Sequence, residues 1–400
     1  MSSRTRYVIG SAVFLLVVGL LVVFLFREGQ TMTQDQTVTQ NETAVSSSDS
    51  MVNFIKKVEV TPDETYTYGA FCRVNYVEET DDFFVSFGGS TSLVPFDPEK
   101  IANRAGGAEG GNGYSYKQYT SSFEYTGENG VLSNTGGDAA SVMAEGYYFI
   151  LTGGPGGWLI NKIDPSTWTV VKSASIALDK DTDAGNDQML AYANGFLIAS
   201  SVWSDVGEAR NQGEADPTKG SGTHNHILTT DLEEIDSFIL NDTSHINGSY
   251  VVYVDGVYHY ITSTAFFGTL IIMQYDEEWN YLGTITTEEY GQWAQGAVYD
   301  SASEKFYVAY IDLGTVRNGK LDPRIKPNIA IGVFDKNWSL LESVPVTDYT
   351  RDDTAATGRP SVILQDSILY VSYDVETSDP VTHEENKDWQ CYVKMYEIEM

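Results

Sequence analysis

Apolar and polar positions divide the chain into one long uncharged run and a later series of short apolar segments. The uncharged run, residues 7–26, is long enough to cross a bilayer as a helix at about 1.5 Å per residue. The short segments follow residue 50 and are separated by turn dipeptides such as Asn194-Gly195 and Asp255-Gly256. Apolar runs separated by such dipeptides are typical of β-strands joined by tight hairpins.

Two phrases recur along residues 51–400. The first is an apolar run, a tight turn and an aromatic-rich run, as in SVMAEGYYFILTGG, YVVYVDGVYHYITST and RPSVILQDSILYVSY. The second is an Asp turn followed by Trp, as in IDPSTWTVV, YDEEWNYL and FDKNWSLL. We expect each Asp to accept bonds from backbone amides of its turn, and each Trp to pack between neighbouring units. The phrases predict six four-stranded antiparallel units, near residues 68–133, 138–178, 187–240, 247–287, 294–348 and 357–400.

Four-stranded units that repeat every 40–60 residues or so are typical of a β-propeller. The sequence therefore predicts an all-β, six-bladed β-propeller of four-stranded antiparallel blades, preceded by one transmembrane helix. The sixth unit ends after its third strand, and residues 54–60 are similar to the fourth strand of the fifth unit. We expect this N-terminal strand to complete the last blade. The hairpin RPSVILQDSILYVSY also resembles blades of sugar-active propellers of the arabinanase-like class.

The N-terminal residues predict where the propeller resides. Arg4 and Arg6 precede the uncharged run, whereas Arg27 is offset by Glu28, so the C-terminal part is expected outside the cell. No small-residue cleavage site follows the run, which favours an uncleaved signal anchor. The predicted domains are a membrane anchor at 1–27, a Thr-, Gln- and Ser-rich disordered stalk at 28–50 and an extracellular propeller at 51–400.

Charge and cysteine content narrow the choice of partners. The formal net charge is -32, which argues against a nucleic-acid partner because phosphate binding needs clustered Lys and Arg. The charge also fits either the solubility of an exported protein or a cation-rich exterior. Cys72 and Cys391 lie near the two ends of the propeller, and they can pair in an oxidising exterior or remain as two buried thiols.

The long connections of the repeat are predicted to lie on one face, which we take as the binding face. They include GGSTSLVPFDPEKIANRAGGAEGGNG, SDVGEARNQGEADPTKGSGTH and DLGTVRNGKLDPRIKP. The segments that lead into the first strand of each unit open on the same face. They carry the candidate ligand-binding residues Asp138, Asp187, His245, Asn247, Trp293, Gln295 and Arg359.

This set of carboxylates, amides and an indole suits a sugar, whose hydroxyls need donors and acceptors and whose ring faces stack on aromatic planes. Three function classes remain open. The first is a module that binds a glycan or a cell-surface protein. The second is a glycoside hydrolase that uses Asp138 and Asp187, because this reaction needs two carboxylates about 5–9.5 Å apart. The third is a structural envelope protein, which would self-associate without a ligand.

A calcium site is a further hypothesis. Asp179, Asp181, Asp183 and Asp187 occupy alternating positions that suit hard oxygen ligands, and they resemble the D-x-D-x-D-G loops of some calcium-binding propellers. Ala184 replaces the expected Gly, so a solvated acidic linker is the alternative. His224 and His226 are attributed to loop polarity rather than to a metal.

Sequons predict N-glycosylation at Asn41, Asn241 and Asn247 if the host glycosylates exported proteins. We expect occupancy at Asn41 first, because the stalk is accessible. A fourth sequon, at Asn337, lies in a predicted tight turn and is a poor candidate.

Overall fold

The structure is a computed structural model that describes residues 50–61, 69–89, 113–133, 139–154, 157–179, 183–204, 221–241, 249–263, 268–317, 320–349, 356–377 and 388–399. All of them belong to one compact unit, Ser46–Met400. The predicted anchor at 1–27 and nearly all of the stalk lie outside the described residues. In the part of the chain that is described, no helix has the length and apolarity needed to span a membrane.

Every regular element within these described ranges is a β-strand. In chain order the strands are β1 (Val52–Glu59), β2 (Ala70–Val77), β3 (Asp82–Gly89), β4 (Gly113–Tyr119), β5 (Tyr125–Ser133), β6 (Ala139–Ala144), β7 (Tyr147–Gly154), β8 (Gly157–Asp164), β9 (Thr169–Ile176), β10 (Asp183–Ala193), β11 (Phe196–Ser204), β12 (Ser221–Thr229), β13 (Glu234–Asn241), β14 (Tyr250–Val254), β15 (Val257–Ser263), β16 (Gly268–Tyr275), β17 (Tyr281–Asp300), β18 (Lys305–Arg317), β19 (Lys320–Asp335), β20 (Leu340–Pro345), β21 (Ala356–Gln365), β22 (Ile368–Thr377) and β23 (Asp388–Ile398).

Neighbouring strands pair antiparallel in the order of the chain, except that β1 joins the closing sheet. The first sheet is β2-β3-β4-β5, the second is β6-β7-β8-β9 and the third is β10-β11-β12-β13. The long sheet runs from β14 to β20, and the closing sheet has the order β1-β23-β22-β21. In the long sheet, β17 pairs with β16 through its first half and with β18 through its second half.

Strand β1 is the outer strand of the closing sheet. It pairs antiparallel with β23 from Val52↔Ile398 to Glu59↔Tyr392. The following residue continues the contact, since the Val60 N–H donates to the Cys391 carbonyl at 2.8 Å. The N-terminal strand therefore supplies the fourth strand of the sheet that contains the C-terminal strand.

The hairpins between the first and second strands of several sheets have the expected two-residue turns. Asn194 and Gly195 have φ values of 52° and 82°, and Asp255 and Gly256 have 50° and 82°. Positive φ at both central positions is the signature of a type I′ turn, whose twist matches that of the flanking strands.

The Asp turns between third and fourth strands close as the sequence analysis expected. Asp335 Oδ1 accepts the N–H groups of Asn337 and Ser339, both at 2.8 Å. The backbone closes the same turn, because the Trp338 N–H donates to the Asp335 carbonyl at 2.9 Å. Trp338 then has a φ of 64°, and the corresponding residue has a positive φ in four other turns, at Phe123, Trp168, Leu232 and Trp279.

The residue with positive φ in each turn packs its side chain against the preceding unit. The ring of Trp168, from the second sheet, stacks on Tyr116 of the first sheet with centroids 3.6 Å apart. The Trp338 Nε1–H donates to His259 Nδ1 of β15 at 3.0 Å, across the two halves of the long sheet. The expectation that the Trp residues pack between neighbouring units is confirmed.

One predicted loop is a strand pair instead. The segment DLGTVRNGKLDPRIKP was expected to be a long connection, but β18 continues to Arg317 and β19 begins at Lys320, and these two residues pair. Asn318-Gly319 between them is a dipeptide that favours two-residue hairpins. The sequence analysis was wrong here, because it treated the whole segment as a connection between strands.

The first and closing sheets meet at a covalent seam. Cys72 of β2 and Cys391 of β23 form a disulfide with a Cα–Cα distance of 5.9 Å, and both residues are fully buried. The bond lies in an apolar cluster that includes Phe83 and Val393. The cysteine pair closes a sequence separation of 319 residues.

Candidate functional site: the central cavity

A cavity of about 280 Å³ lies where the sheets converge. Its wall contains residues from six strands: β2, β6, β10, β14, the second half of β17, and β21. Strands β2, β6, β10 and β21 are each an edge strand of a four-stranded sheet, β14 is an edge strand of the long sheet, and β17 lies within the long sheet. The cavity is therefore enclosed by inner strands, which is the arrangement of a propeller channel.

Four of these inner strands are bulged at the end where the chain enters them. The ladder register shifts between Ala70 and Arg73 in β2, Ala184 and Met189 in β10, Gln292 and Gly296 in β17, and Gly358 and Ser361 in β21. A bulge interrupts the ladder and re-aims side chains, which is why bulges are common beside binding sites. The predicted residues Asp187, Trp293, Gln295 and Arg359 all lie within these entrance bulges.

Arg73 is the principal residue that the sequence analysis missed. The residue lines the cavity, although it is only 8% exposed. Arg73 Nη2 donates to Gln295 Oε1 at 2.6 Å, and Nη1 donates to the carbonyls of Cys72 at 2.9 Å and Arg359 at 3.0 Å. Burial lowers the pKa of Arg73, while the nearby Tyr114 and Asp374 act in the opposite direction. All three hydrogen-bond acceptors of this buried cation are neutral groups.

Arg359 has a different electrostatic environment. Its Nη1 forms an ion pair with Asp374 Oδ2 at 3.2 Å, and its guanidinium lies 3.7 Å from the ring centroid of Phe71. Asp374 Oδ2 also accepts the Phe71 N–H at 2.8 Å. Phe71 and Arg359 have φ values of 56° and 47°, so both bulges hold a side-chain-bearing residue in a strained conformation. The charge of Arg359 is thus matched by a carboxylate.

Buried hydroxyl and amide groups support the backbone of Arg73. Asn75 Nδ2 donates to the Arg73 carbonyl at 3.1 Å, and Ser86 Oγ lies 3.4 Å from the same oxygen. Tyr148 donates its hydroxyl to Ser86 Oγ at 2.7 Å, and burial raises the pKa of Tyr148 well above its ordinary value. Because Tyr148 stays protonated, it remains a donor that fixes Ser86, and this network holds Arg73 in place.

The cavity wall offers further polar groups. Asn75, Ser141, Tyr250 and Ser361 line it together with Arg73 and Gln295. Burial raises the pKa of Tyr250, and the charge of Arg73 opposes that shift. These polar groups can exchange hydrogen bonds with hydroxyl groups, and Arg73 can pair with an anion.

The remaining predicted ligand-binding residues are described only in part. Asp138, His245 and Asn247 lie outside the described residues. Asp187 and Trp293 are placed on β10 and β17 by their backbone alone. The structure brings Gln295 and Arg359 together through Arg73, and the Asp138–Asp187 pair of the hydrolase hypothesis is not tested.

The metal and glycosylation hypotheses are likewise untested. Asp179 is exposed, Asp181 lies outside the described residues, and Asp183 and Asp187 belong to β10. Among the side chains that are described, no three His, Cys, Asp or Glu residues are grouped to hold a metal ion. Of the sequons, Asn41 and Asn247 fall outside the described ranges, Asn241 is the last residue of β13, and Asn337 is exposed in its Asp turn.

No protein-family model matches the chain, and no curated protein matches it in sequence. Many solved structures match in fold. The Trypanosoma rangeli sialidase in complex with the inhibitor DANA has a TM-score of 0.54 and 10% identity, and the match covers 85% of this chain and 59% of the sialidase.

Two other similar structures have lower TM-scores. The neuraminidase-like protein from A/bat/Guatemala/164/2009 has a TM-score of 0.49 at 10% identity, over 85% of this chain and 94% of the other. An α-L-arabinanase mutant from Cellvibrio cellulosa has 0.41 at 10% identity, over 64% and 89%. Sequence identities this low indicate a shared fold only. With four-stranded antiparallel sheets around a central cavity and no helix in its described residues, the chain is a β-propeller.

Proposed function

We propose that this chain is a membrane-anchored extracellular propeller that binds the end of an acidic glycan in its central cavity. The proposed blade count is six, with the long sheet counted as two blades that share β17. The anchor at 1–27 would hold the propeller at the cell surface, with its entrance bulges facing potential ligands.

The environment of Arg73 is the observation that carries this proposal. A buried cation with only neutral hydrogen-bond acceptors is costly unless a ligand or the surrounding field compensates for it. An anionic group in the cavity would provide charge-assisted hydrogen bonds, which are about twice as strong as neutral ones. Gln295 and the carbonyls of Cys72 and Arg359 already fix the guanidinium, so little ordering would be needed on binding.

The other polar groups of the cavity wall favour a sugar over a simple anion. Asn75, Ser141, Ser361 and Tyr250 supply both donors and acceptors around Arg73. A volume of about 280 Å³ is just below the common range for ligand sites, about 300–1,000 Å³, so it suits one terminal group rather than a run of sugars. The fold shared with the Trypanosoma rangeli sialidase is compatible with a glycan ligand.

A glycan array probed with the full chain in detergent tests the proposal. We expect acidic glycans to be selected over neutral ones, and Arg73→Gln to weaken the binding of a selected glycan about tenfold or more. Lys172→Gln is the matched control, because it removes the same charge from an exposed position on β9. Equal binding of acidic and neutral glycans, or equal effects of the two substitutions, would contradict the proposal.

The same array hits separate the alternative functions. Each selected glycan is incubated with the protein and examined for hydrolysis. Turnover that is lost on changing Asp138 and Asp187 to Asn would assign the chain to the glycoside hydrolases. Self-association with no glycan selected would instead favour a structural envelope protein.

A further inference from the structure

A β-bulge with an apolar extra residue recurs on the perimeter of the propeller, in β1, β9, β13, β20 and the first half of β17. In each of these strands the ladder skips one residue between two paired neighbours. The skipped residues are all 43–55% exposed, and they are Ile55, Val171, Ile235, Leu282 and Leu341. Single exposed apolar residues are common on protein surfaces, but these five share one structural position.

The apolar character of these bulges needs a separate reason from the bulges themselves. A bulge in an outer strand hinders that edge from pairing with another strand. A polar residue in the bulge would hinder pairing equally well, and the first sheet has Thr126 three residues after Phe123. Exposed Ile, Val and Leu instead suit contacts between side chains, without an extended backbone ladder.

The bulge of β1 lies beside basic residues. Ile55 is followed by Lys56 and Lys57, so β1 has two Lys and one Glu in a chain whose net charge is -32. Lys56 forms an ion pair with Glu124 at 3.3 Å, whereas Lys57 is exposed and pairs in register with Lys394 of β23. Like charges directly opposite in a sheet repel each other, which favours an acidic partner here. We call Ile55, Lys56 and Lys57 the basic edge.

The bulge of β13 has the opposite charge around it. Glu233 and Glu234 precede Ile235 and Asp236 follows it, and all four residues are exposed. Glu234 Oε1 lies 3.0 Å from His226 Nδ1, which leaves Glu233 and Asp236 directed to solvent as acidic groups. We call residues 233–236 the acidic edge. The two edges are complementary, because each presents an exposed Ile flanked by charges of opposite sign.

The basic and acidic edges lie on opposite sides of the ring. Neighbouring inner strands contact each other in the cyclic order β2-β6-β10-β14-β17-β21, and β21 contacts β2. With the blade count proposed above, β10 and β21 are three blades apart in both directions. Their sheets end in β13 and β1, respectively. Because the two bulges occupy equivalent places in their blades, the edges also lie at the same height along the propeller axis.

We infer that copies of this chain dock side by side, with the basic edge of one copy against the acidic edge of the next. Ile55 then packs on Ile235 of the next copy, and Lys57 lies beside its Asp236. Such a contact joins two different surfaces, and edges on opposite sides of the ring extend it into an open row. One strand edge buries less than the roughly 1,000 Å² of a stable complex, so each contact is weak and depends on a high local concentration.

Cysteine trapping on the full chain in detergent tests this contact, since both native cysteines are fully buried in a disulfide. Ile55→Cys protein is mixed with Ile235→Cys protein under mild oxidation, and the cross-linked peptides are identified by mass spectrometry. We expect the mixed cross-link to form about tenfold faster than either protein cross-links to itself, because docking raises the effective concentration of the two thiols.

A mixture of Val171→Cys and Ile235→Cys proteins is the matched control. Val171 is an exposed bulge residue on a different edge, so this mixture should show no preference for the mixed cross-link. Equal preferences in the two mixtures would overturn the inference. Faster cross-linking of the Ile55→Cys protein to itself would also overturn it, because the contact would then be symmetric.

Charge exchange provides the second measurement. Lys57→Glu in the Ile55→Cys protein and Asp236→Lys in the Ile235→Cys protein should each slow the mixed cross-link about two- to fivefold, and both together should restore it. Asp236→Lys is the more decisive change, because a general loss of repulsion between acidic copies would speed the reaction instead. A faster reaction with Asp236→Lys, or no recovery when the two changes are combined, would contradict the inference.

This inference goes beyond the proposed function, and the two can fail separately. The docking edges lie away from the cavity, so Arg73→Gln should leave the mixed cross-link unchanged. Mixed cross-linking without any selected glycan would keep the inference and reject the glycan proposal. Selection of acidic glycans without preferential mixed cross-linking would reject the inference alone.

Discussion

The Asp turns and the entrance bulges lie at opposite ends of the sheets. The turns preserve the repeated structure, whereas the bulges depart from it. Five turns between third and fourth strands, three that begin with Asp and two with Thr, place an apolar residue with positive φ at the same position, and it packs on neighbouring strands. At the bulges, four inner strands depart from regular pairing, and each carries different residues. The comparison indicates that the repeated positions stabilise the ring, whereas the departures from the repeat form the cavity chemistry.

Trp338→Ala should have the largest effect, and it should act on stability alone. Trp338 is 2% exposed, stacks on Phe306 with centroids 4.1 Å apart, and donates to His259. Removing a buried aromatic side chain costs about 3–5 kcal/mol of the free energy of unfolding. Urea denaturation measures this loss, with Trp338→Phe as a milder control. If a folded Trp338→Ala protein bound its ligand more weakly, the turns and the cavity would not be independent of each other.

The Asp turns were predictable from the sequence because their causes are local. Asp335 and Trp338 are three residues apart, and the bonds that fix the turn involve only neighbouring residues. The strand pairing at the seam could also be predicted from the sequence, since residues 54–60 are similar to an outer strand. Repetition along the chain made both features visible.

Arg73 could not be identified in this way. It lies in the apolar stretch FCRVNY, and its partners Gln295 and Arg359 are 222 and 286 residues away in sequence. The bulges have no residue signature either, since they depend on how neighbouring strands align. Gln295 and Arg359 were found only because the repeat placed them at strand entrances.

The disulfide variant Cys72→Ser with Cys391→Ser should affect both properties. Loss of a native disulfide typically costs about 2–4 kcal/mol, largely through a freer unfolded chain. The Cys72 carbonyl also accepts a bond from Arg73, so movement at the seam should weaken anion binding. Denaturation and glycan binding are measured together. A variant with lower stability and unchanged affinity would show that the cavity does not depend on the seam.

The pH dependence of stability tests the Asp turn region through His259. Burial lowers the pKa of His259 from 6.5 to about 4, with Asp255 opposing the shift, and Nδ1 accepts the Trp338 Nε1–H. The folded state therefore favours neutral His259. The stability that this preference contributes is lost as pH falls from about 6.5 to about 4. Relative to His259→Gln, the wild type should lose about 2–3 kcal/mol over this window. Denaturation midpoints at several pH values measure the difference, and parallel curves would contradict it.

Asp335 gives the smallest and sharpest test of how the Asp turns are fixed. Asp335→Ala removes the acceptor for the N–H groups of Asn337 and Ser339, and we expect a cost of about 1 kcal/mol in the free energy of unfolding. Asp335→Asn keeps an oxygen at the same position, so it should remain within about 0.5 kcal/mol of the wild type. Urea denaturation compares the three proteins. If the Asn variant were as unstable as the Ala variant, the carboxylate charge rather than its acceptor oxygen would hold the turn, and the repeated Asp would then have an electrostatic cause.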